Sequence, residues 1–234
     1  MMCFIRKLFF RLKKFAEFLH KGHIRFLNQA YSQEGEDLVL KCYLREREKG
    51  FFVDVGAHHP LSLSNTYWFY RQGWRGVNVD AMPGAMKLFD KYRPEDINIE
   101  AAVANQSGSG KYFIYNLSPL NGFLSEDIVK KYEQDGYYPI ECKEIPFVRL
   151  RDILDKCHIP DDHIDFMSID VEEFEMEVLM SNDWERYSPD FILVEQFVNS
   201  CKEAESHPTT VFLAEKGYCI VAKTFRSTLF KKMI

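Results

Sequence analysis

Nowhere does this sequence carry a C-x-x-C pair: its six cysteines (Cys3, Cys42, Cys142, Cys157, Cys201, Cys219) are scattered over 234 residues. That spacing argues against a zinc cage or a disulfide framework and fits a reducing compartment. No G-x-x-x-x-G-K-[ST] run occurs, which excludes a P-loop. No apolar run approaches the roughly 18 residues needed to span a bilayer. No uninterrupted apolar segment followed by a small-residue cleavage site marks a signal peptide, so the expectation is a retained, cytoplasmic protein. A net charge of -5 gives no reason to expect a nucleic-acid partner.

Charge is unevenly spread. Residues 1–27 hold seven basic side chains against Glu17 alone, leaving 23 basic and 34 acidic residues for the rest. Within that segment Phe4, Leu8, Leu12, Phe15 and Leu19 recur every three or four residues, the stripe of an amphipathic helix. Residues 1–30 are therefore expected to form a basic helical extension. It would pack on the domain, self-associate, or lie peripherally on an anionic membrane.

From residue 31 onward the chain alternates between two patterns. Strand-like runs are FFVDVG (51–56), GVNVDA (76–81), NIEAAVA (98–104), IDFMSIDV (164–171) and DFILVEQ (190–196). Helix-like runs fall between them: SNTYWFYRQG, PGAMKLFDKY, VRLRDILDKC and EEFEMEVLMS. Strands that are apolar throughout and alternate with helices predict a parallel sheet covered on both faces. GKYFIYN and KEIPFVRL are extra strand candidates around a loop with Pro119, Asn121 and Gly122, and YCIVAKTF with STLFKK reads as an antiparallel hairpin. A single domain spanning 31–234 follows.

The first strand runs into Asp54, Gly56, His58, His59 and Pro60. A dinucleotide turn would need glycine at His58 and again at Leu61, so a pyrophosphate is a poor fit. A ligand without phosphates, such as S-adenosylmethionine, tolerates this turn. Asp54 can meet its ammonium, Gly56 lets the chain turn beneath it, and Asp80, ending the second strand beside Ala81, can accept from both ribose hydroxyls.

Taken in order, YSQEGED, FFVDVGAHHP with SNT, GWRGVNVDAMPG, and DFMSIDVEEFEMEVL with PDFILVEQ resemble the FkbM family of S-adenosylmethionine-dependent methyltransferases. The resemblance spans about residues 31–197. It implies the class I, Rossmann-like α/β fold, a seven-stranded, mostly parallel sheet with helices on both faces and a C-terminal antiparallel hairpin. It implies that Asp54, Gly56, Ala57 and His58 line the methionine end, that Asn65 and Thr66 close over the ligand, and that Asp80 with Ala81 holds the ribose. Many members have glycine where Glu173 stands here.

The expected reaction is methyl transfer to a hydroxyl of a sugar, as a nucleotide sugar or surface glycan, or of a related small molecule. Two alternatives stand: an amine acceptor, or a non-catalytic domain that binds a partner through its N-terminal helix. A hydroxyl acceptor benefits from a base or a metal ion. His58, His59, Glu172 and Asp170 are the candidate catalytic groups. Asp170, Glu195 and Gln196, at the ends of neighbouring strands, are the candidate ligands for magnesium, though they serve equally as a helix cap and buried hydrogen-bonding groups. Gln33, Glu36 and Asn121 are expected to line the acceptor side, with loop 117–126 as a lid.

Overall fold

The protein is described by a computed structural model over residues 10–14, 28–117 and 120–233. Most of the expected N-terminal helix lies outside these residues; Phe10 to Lys14 are helical, with Phe10 and Leu12 exposed. Among the described residues no helix is long and apolar enough to cross a membrane.

Five apolar runs become the centre of one sheet. β1 (Phe51–Val55), β2 (Arg75–Asp80), β3 (Ile97–Glu100), β7 (Phe166–Ile169) and β8 (Phe191–Glu195) pair in parallel. β9 (Tyr218–Lys223) and β10 (Ser227–Lys232) form the expected hairpin, and β10 runs antiparallel to both β8 and β9. The order is β3-β2-β1-β7-β8-β10-β9. Every residue of β1, β7 and β8 is buried, because helices cover both faces.

Side-chain alternation sorts those strands into two cores. Phe51, Val53, Val55, Met167, Ile169, Ile192 and Val194 face α5 (Leu150–Leu154), α6 (Glu175–Met180) and α8 (Pro208–Glu215). Phe52, Phe166, Phe191 and Leu193 face Leu40 and Leu44 of α1 (Glu36–Leu44), Phe69 of α2 (Tyr67–Arg71) and Trp74. α3 (Met86–Tyr92) follows β2 and buries Met86 and Phe89.

Two details differ from expectation. The run 98–104 is split: after β3 the chain steps out at Ala101, and Ala102–Val103 (β4) joins a second sheet of order β4-β6-β5. There β5 (Ser109–Tyr115) and β6 (Pro139–Val148) are antiparallel, and they are joined through α4 (Glu126–Gln134), which buries no residue. Gly35 holds the cap position of α1, a helix the sequence patterns above do not mark, and the Ser32 hydroxyl accepts from the Gly35 and Asp37 amides at 3.1 and 3.3 Å. α7 (Cys201–Ser206), capped by Ser200, completes the chain order.

Candidate active site

The C-terminal ends of β1, β2 and β7 open into one cavity of about 1070 Å³, counted to its open mouth. Strand ends of a parallel sheet converge on such a crevice because each crossover helix carries the chain away behind them. Its walls are apolar in the middle, with Val79, Ala101 and Val103, and carboxylates stand on either side.

At the β1 end the turn is tight. The Gly56 and Ala57 amides donate to the Val79 carbonyl at 2.9 and 3.1 Å, which ties β1 to β2. Gly56 has φ +81°, and a Cβ there would lie 1.7 Å from the Asp170 carbonyl oxygen. Asp54 lines the cavity, and its Oδ2 accepts from Thr66 Oγ1 at 2.6 Å. Burial pushes its carboxyl up to about 6, against the lowering effects of the Thr66 bond and the Arg93 charge.

Asp80 ends β2 and holds two loops at once. Its Oδ2 accepts from the His58 amide and its Oδ1 from the Met82 amide, both at 2.8 Å. It lines the cavity with Ala57, His58 and Ala81, and so does Asn65, whose amide donates to Ser168 Oγ at 3.0 Å. Replacing Asp80 with alanine removes a charged acceptor and both loop anchors. Affinity for S-adenosylmethionine should fall roughly ten- to a hundred-fold, as losing one or two charge-assisted hydrogen bonds requires. Isothermal titration of the folded variant checks this; wild-type affinity would remove Asp80 from the site.

Three carboxyl groups meet on the other side of the opening. Oxygens of Asp170, just past β7, of Glu172, and of Glu195, the last residue of β8, lie within 4.8 Å of one another. Glu195 is buried and does not line the cavity, and its carboxyl and that of Asp170 bond each other when one of them is protonated. Burial pushes all three upward, Glu172 to about 8, with Asp170 the next cause for both glutamates. Gln196 does not belong to this set. Its Nε2 donates to Thr209 and Thr210 at 2.6 and 3.0 Å and its Oε1 accepts from Thr228 at 2.6 Å, on the opposite face of the strand. Glu172 takes the place expected for it.

Other expected residues separate into those the cavity uses and those it does not. Gln33 and Asn121 line it, as do Asp170 and Glu172. Asn121 also accepts from the Tyr115 amide at 2.7 Å, and Gly122 pairs with Phe113, so part of loop 117–126 forms a wall. Glu36 does not line the cavity: Thr224 Oγ1 donates to its Oε1 at 2.8 Å and the Glu34 amide to its Oε2 at 2.9 Å, fastening α1 to the β9–β10 turn. His59 is also outside, its Nδ1 facing the Leu61 and Ser62 amides at 3.2 Å. Thr66 stands behind Asp54, fully buried, rather than over the ligand.

Tyr112, Phe123 and Phe174 complete the wall without having been expected. Burial, then the charges of Asp80 and Glu172, push the Tyr112 phenol far above its ordinary range. Their signal in the sequence was weak, because β5 and the 117–126 loop lie outside the regular strand–helix alternation. At the opposite end of the sheet, His163, Asp165 and Asp190 also cluster, but the Arg47 guanidinium already bonds both aspartates.

The turn that carries Glu172 is strained. Glu172 and Glu173 have φ of +54° and +72°, the left-handed region that favours glycine. The backbone thus keeps a conformation that glycine would adopt freely. Glu173→Gly should raise stability by about 0.5–1 kcal/mol, the relief of left-handed strain less the entropy of a new glycine. A urea melt measures it, and an unchanged midpoint would mean that the turn carries no strain.

Acid should stabilise the ligand-free protein. Asp54 and Glu175, which burial pushes up to about 6 and about 7, fold with carboxyls raised above their unfolded values. Their neutral form is favoured by folding, so that stability is full below about pH 4 and drains away as pH climbs through 6–7. Asp54 alone accounts for about 2–3 kcal/mol. The melting temperature should therefore fall from pH 5 to pH 8; a flat profile would contradict the burial of these groups.

None of the curated proteins matches the chain. Among solved structures, it resembles the Burkholderia thailandensis 1,6-didemethyltoxoflavin-N1-methyltransferase with bound 1,6-didemethyltoxoflavin and S-adenosylhomocysteine (11% identity, 95% of this chain and 87% of that one, TM-score 0.46). It also resembles an O-methyltransferase from Bacillus cereus in complex with S-adenosylhomocysteine (12%, 92% and 88%, TM-score 0.41). A third is the precorrin-6y C5,15-methyltransferase from Geobacter metallireducens (11%, 83% and 84%, TM-score 0.41). Likenesses this distant assign no reaction. The methyltransferase FkbM domain matches residues 54–220, from the carboxylate near the end of β1 into β9. The chain therefore belongs to the FkbM family of S-adenosylmethionine-dependent methyltransferases.

Proposed function

We propose that this methyltransferase acts on a hydroxyl group of a sugar, carried by a nucleotide sugar or a surface glycan, or of a related small molecule. The observation that carries the reading is the trio Asp170, Glu172 and Glu195, of which Asp170 and Glu172 line the cavity. Carboxyl oxygens accept hydrogen bonds from a polyol, and a hydroxyl nucleophile must also lose its proton.

S-Adenosylmethionine fits the remaining donors and acceptors. Its ammonium matches Asp54, its ribose diol matches Asp80, and the apolar stretch of Val79, Ala101 and Val103 suits its adenine. Bound there, it supplies an electrophilic methyl group on a sulfonium. The residues of the chain hold both partners still; alignment of that kind is worth several kcal/mol of the barrier.

The trio also suits a divalent cation. Asp170, Glu172 and Glu195 would hold magnesium, a hard ion that accepts few carboxylates and keeps its waters, and it would supply Lewis-acid activation of a bound hydroxyl. Three carboxyls this close cannot all ionise unaided, and a cation relieves that conflict.

Labelled S-adenosylmethionine offered with nucleotide sugars, glycans and amine-bearing acceptors tests the reading. Label should enter hydroxyl-only acceptors as an ether. Uptake by amine acceptors alone would overturn it.

A further inference from the structure

At the cavity floor lies a row of polar side chains of which binding, as described above, uses one. Asn98, Asn78, Asp54 and Ser168 stand in register on β3, β2, β1 and β7. Strand alternation turns all four toward the face built from Phe52, Phe166 and Leu193. Of the four, only Asp54 lines the cavity.

An arginine sits under this row. Arg93, the residue after α3, has no solvent exposure. Its Nε donates to Asp96 Oδ2 at 2.8 Å, and its Nη1 donates to Thr66 Oγ1 at 3.0 Å. The rings of Phe52, Tyr70 and Phe89 surround the guanidinium at 5.2, 5.1 and 5.4 Å. Thr66 Oγ1 in turn donates to Asp54 Oδ2 at 2.6 Å.

Chemistry fixes the direction of this chain. A guanidinium only donates and a carboxylate only accepts, so the Thr66 hydroxyl must accept from Arg93 and send its proton to Asp54. One oxygen of Asp54 is thereby pinned from behind. Packing alone does not call for this arrangement, since burying a guanidinium is costly and an apolar side chain of similar volume often serves stability better.

We propose that Arg93, acting through Thr66, is a positioning residue that aims Asp54 at the amino-acid end of S-adenosylmethionine. The proposal rests on assigning Asp54 to that end of the cofactor. Without the chain, the buried Asp54 carboxylate would keep Ser168 as its side-chain partner and would rotate toward water or take up a proton. With it, Asp54 is presented to a cationic group as a fixed acceptor, its ordering cost already met by the fold.

Binding separates this role from a structural one. S-Adenosylmethionine and 5′-methylthioadenosine, which lacks the amino-acid tail, are titrated into the wild type, Asp54→Asn, Thr66→Val, Thr66→Ser and Arg93→Met. Thr66→Val keeps the shape of the side chain and loses its hydroxyl. It should bind S-adenosylmethionine about ten-fold more weakly, the worth of a hydrogen bond to a charged group, and methylthioadenosine as the wild type does. Thr66→Ser should restore affinity to within about two-fold, the double variant Thr66→Val with Arg93→Met should be no weaker than the weaker single one, since both break one chain, and Asp54→Asn should lose affinity for the tailed ligand alone. If Arg93→Met does not fold, Thr66→Val and Thr66→Ser carry the test. Wild-type affinity in Thr66→Val, with Asp54→Asn impaired, would overturn the relay, as would equal losses for both ligands. Wild-type affinity in Asp54→Asn would overturn the assignment of Asp54 instead.

Discussion

Replacing Gly56 with alanine is expected to abolish S-adenosylmethionine binding and to destabilise the fold by about 3 kcal/mol or more. The added Cβ would stand 1.7 Å from the Asp170 carbonyl oxygen and 2.7 Å from its carbon, both backbone atoms at the end of β7. Neither can yield cheaply, because the Asp170 amide donates to the Val55 carbonyl at 3.0 Å and so ties β7 to β1 at that level. The conformation adds its own cost: φ of +81° is free for glycine and strained by about 1–2 kcal/mol for alanine. Relief requires β1 and β7 to separate where Asp54 and Asp170 present their carboxyls to the cavity. Affinity should therefore drop by more than about a hundred-fold, in step with the loss of stability. Calorimetric titration together with a denaturant melt decides the matter. A variant that melts and binds like the wild type would mean that the two strands do not meet as described.

The sheet was legible because its central strands are buried on both faces. Phe51–Val55 and Phe191–Glu195 are apolar almost without interruption. The 98–104 run misled for the same reason, since Ala101 to Val103 is as apolar as a strand yet steps into the second sheet. α4 was missed because its apolar stripe is short, Ile128, Val129 and Tyr132, and only half-buried. Asp54, Gly56 and Asp80 were legible as the polar ends of apolar strands. Gln196 was misplaced against a rule available from the start: successive residues of a strand point to opposite faces, so Glu195 and Gln196 cannot both meet one ion. Arg93 could not be found at all, because an arginine just past a helix ordinarily reaches water, and its burial depends on Thr66 and Tyr70 of the α2 segment converging with Asp96.

Chelation should suppress turnover by about a hundred-fold or more while leaving S-adenosylmethionine affinity within about two-fold of its starting value. The two functions occupy different carboxylates. In the proposed reading Asp54 and Asp80 serve the cofactor from β1 and β2, whereas the trio stands past β7 and at the end of β8, with Asp170 and Glu172 lining the cavity and Glu195 buried beside them. Glu195 is the telling member. The register that places Ile169 opposite Val194 continues one step to bring Asp170 beside Glu195, and among the described residues no arginine or lysine forms an ion pair with either of them. Buried side by side, Asp170 and Glu195 bond each other only while one of them keeps its proton, and ionising both is costly. A cation bound between these groups would remove that cost and let all three ionise. Asp170→Asn and Glu195→Gln should then reproduce the effect of the chelator, and added magnesium should restore the chelated wild type but neither variant. Full turnover in excess chelator would remove the cation and leave Glu172, the one member of the trio on a left-handed turn, as the general base. In that event Glu172→Gln would abolish turnover in a protein that still binds S-adenosylmethionine, while Glu195→Gln would be nearly silent.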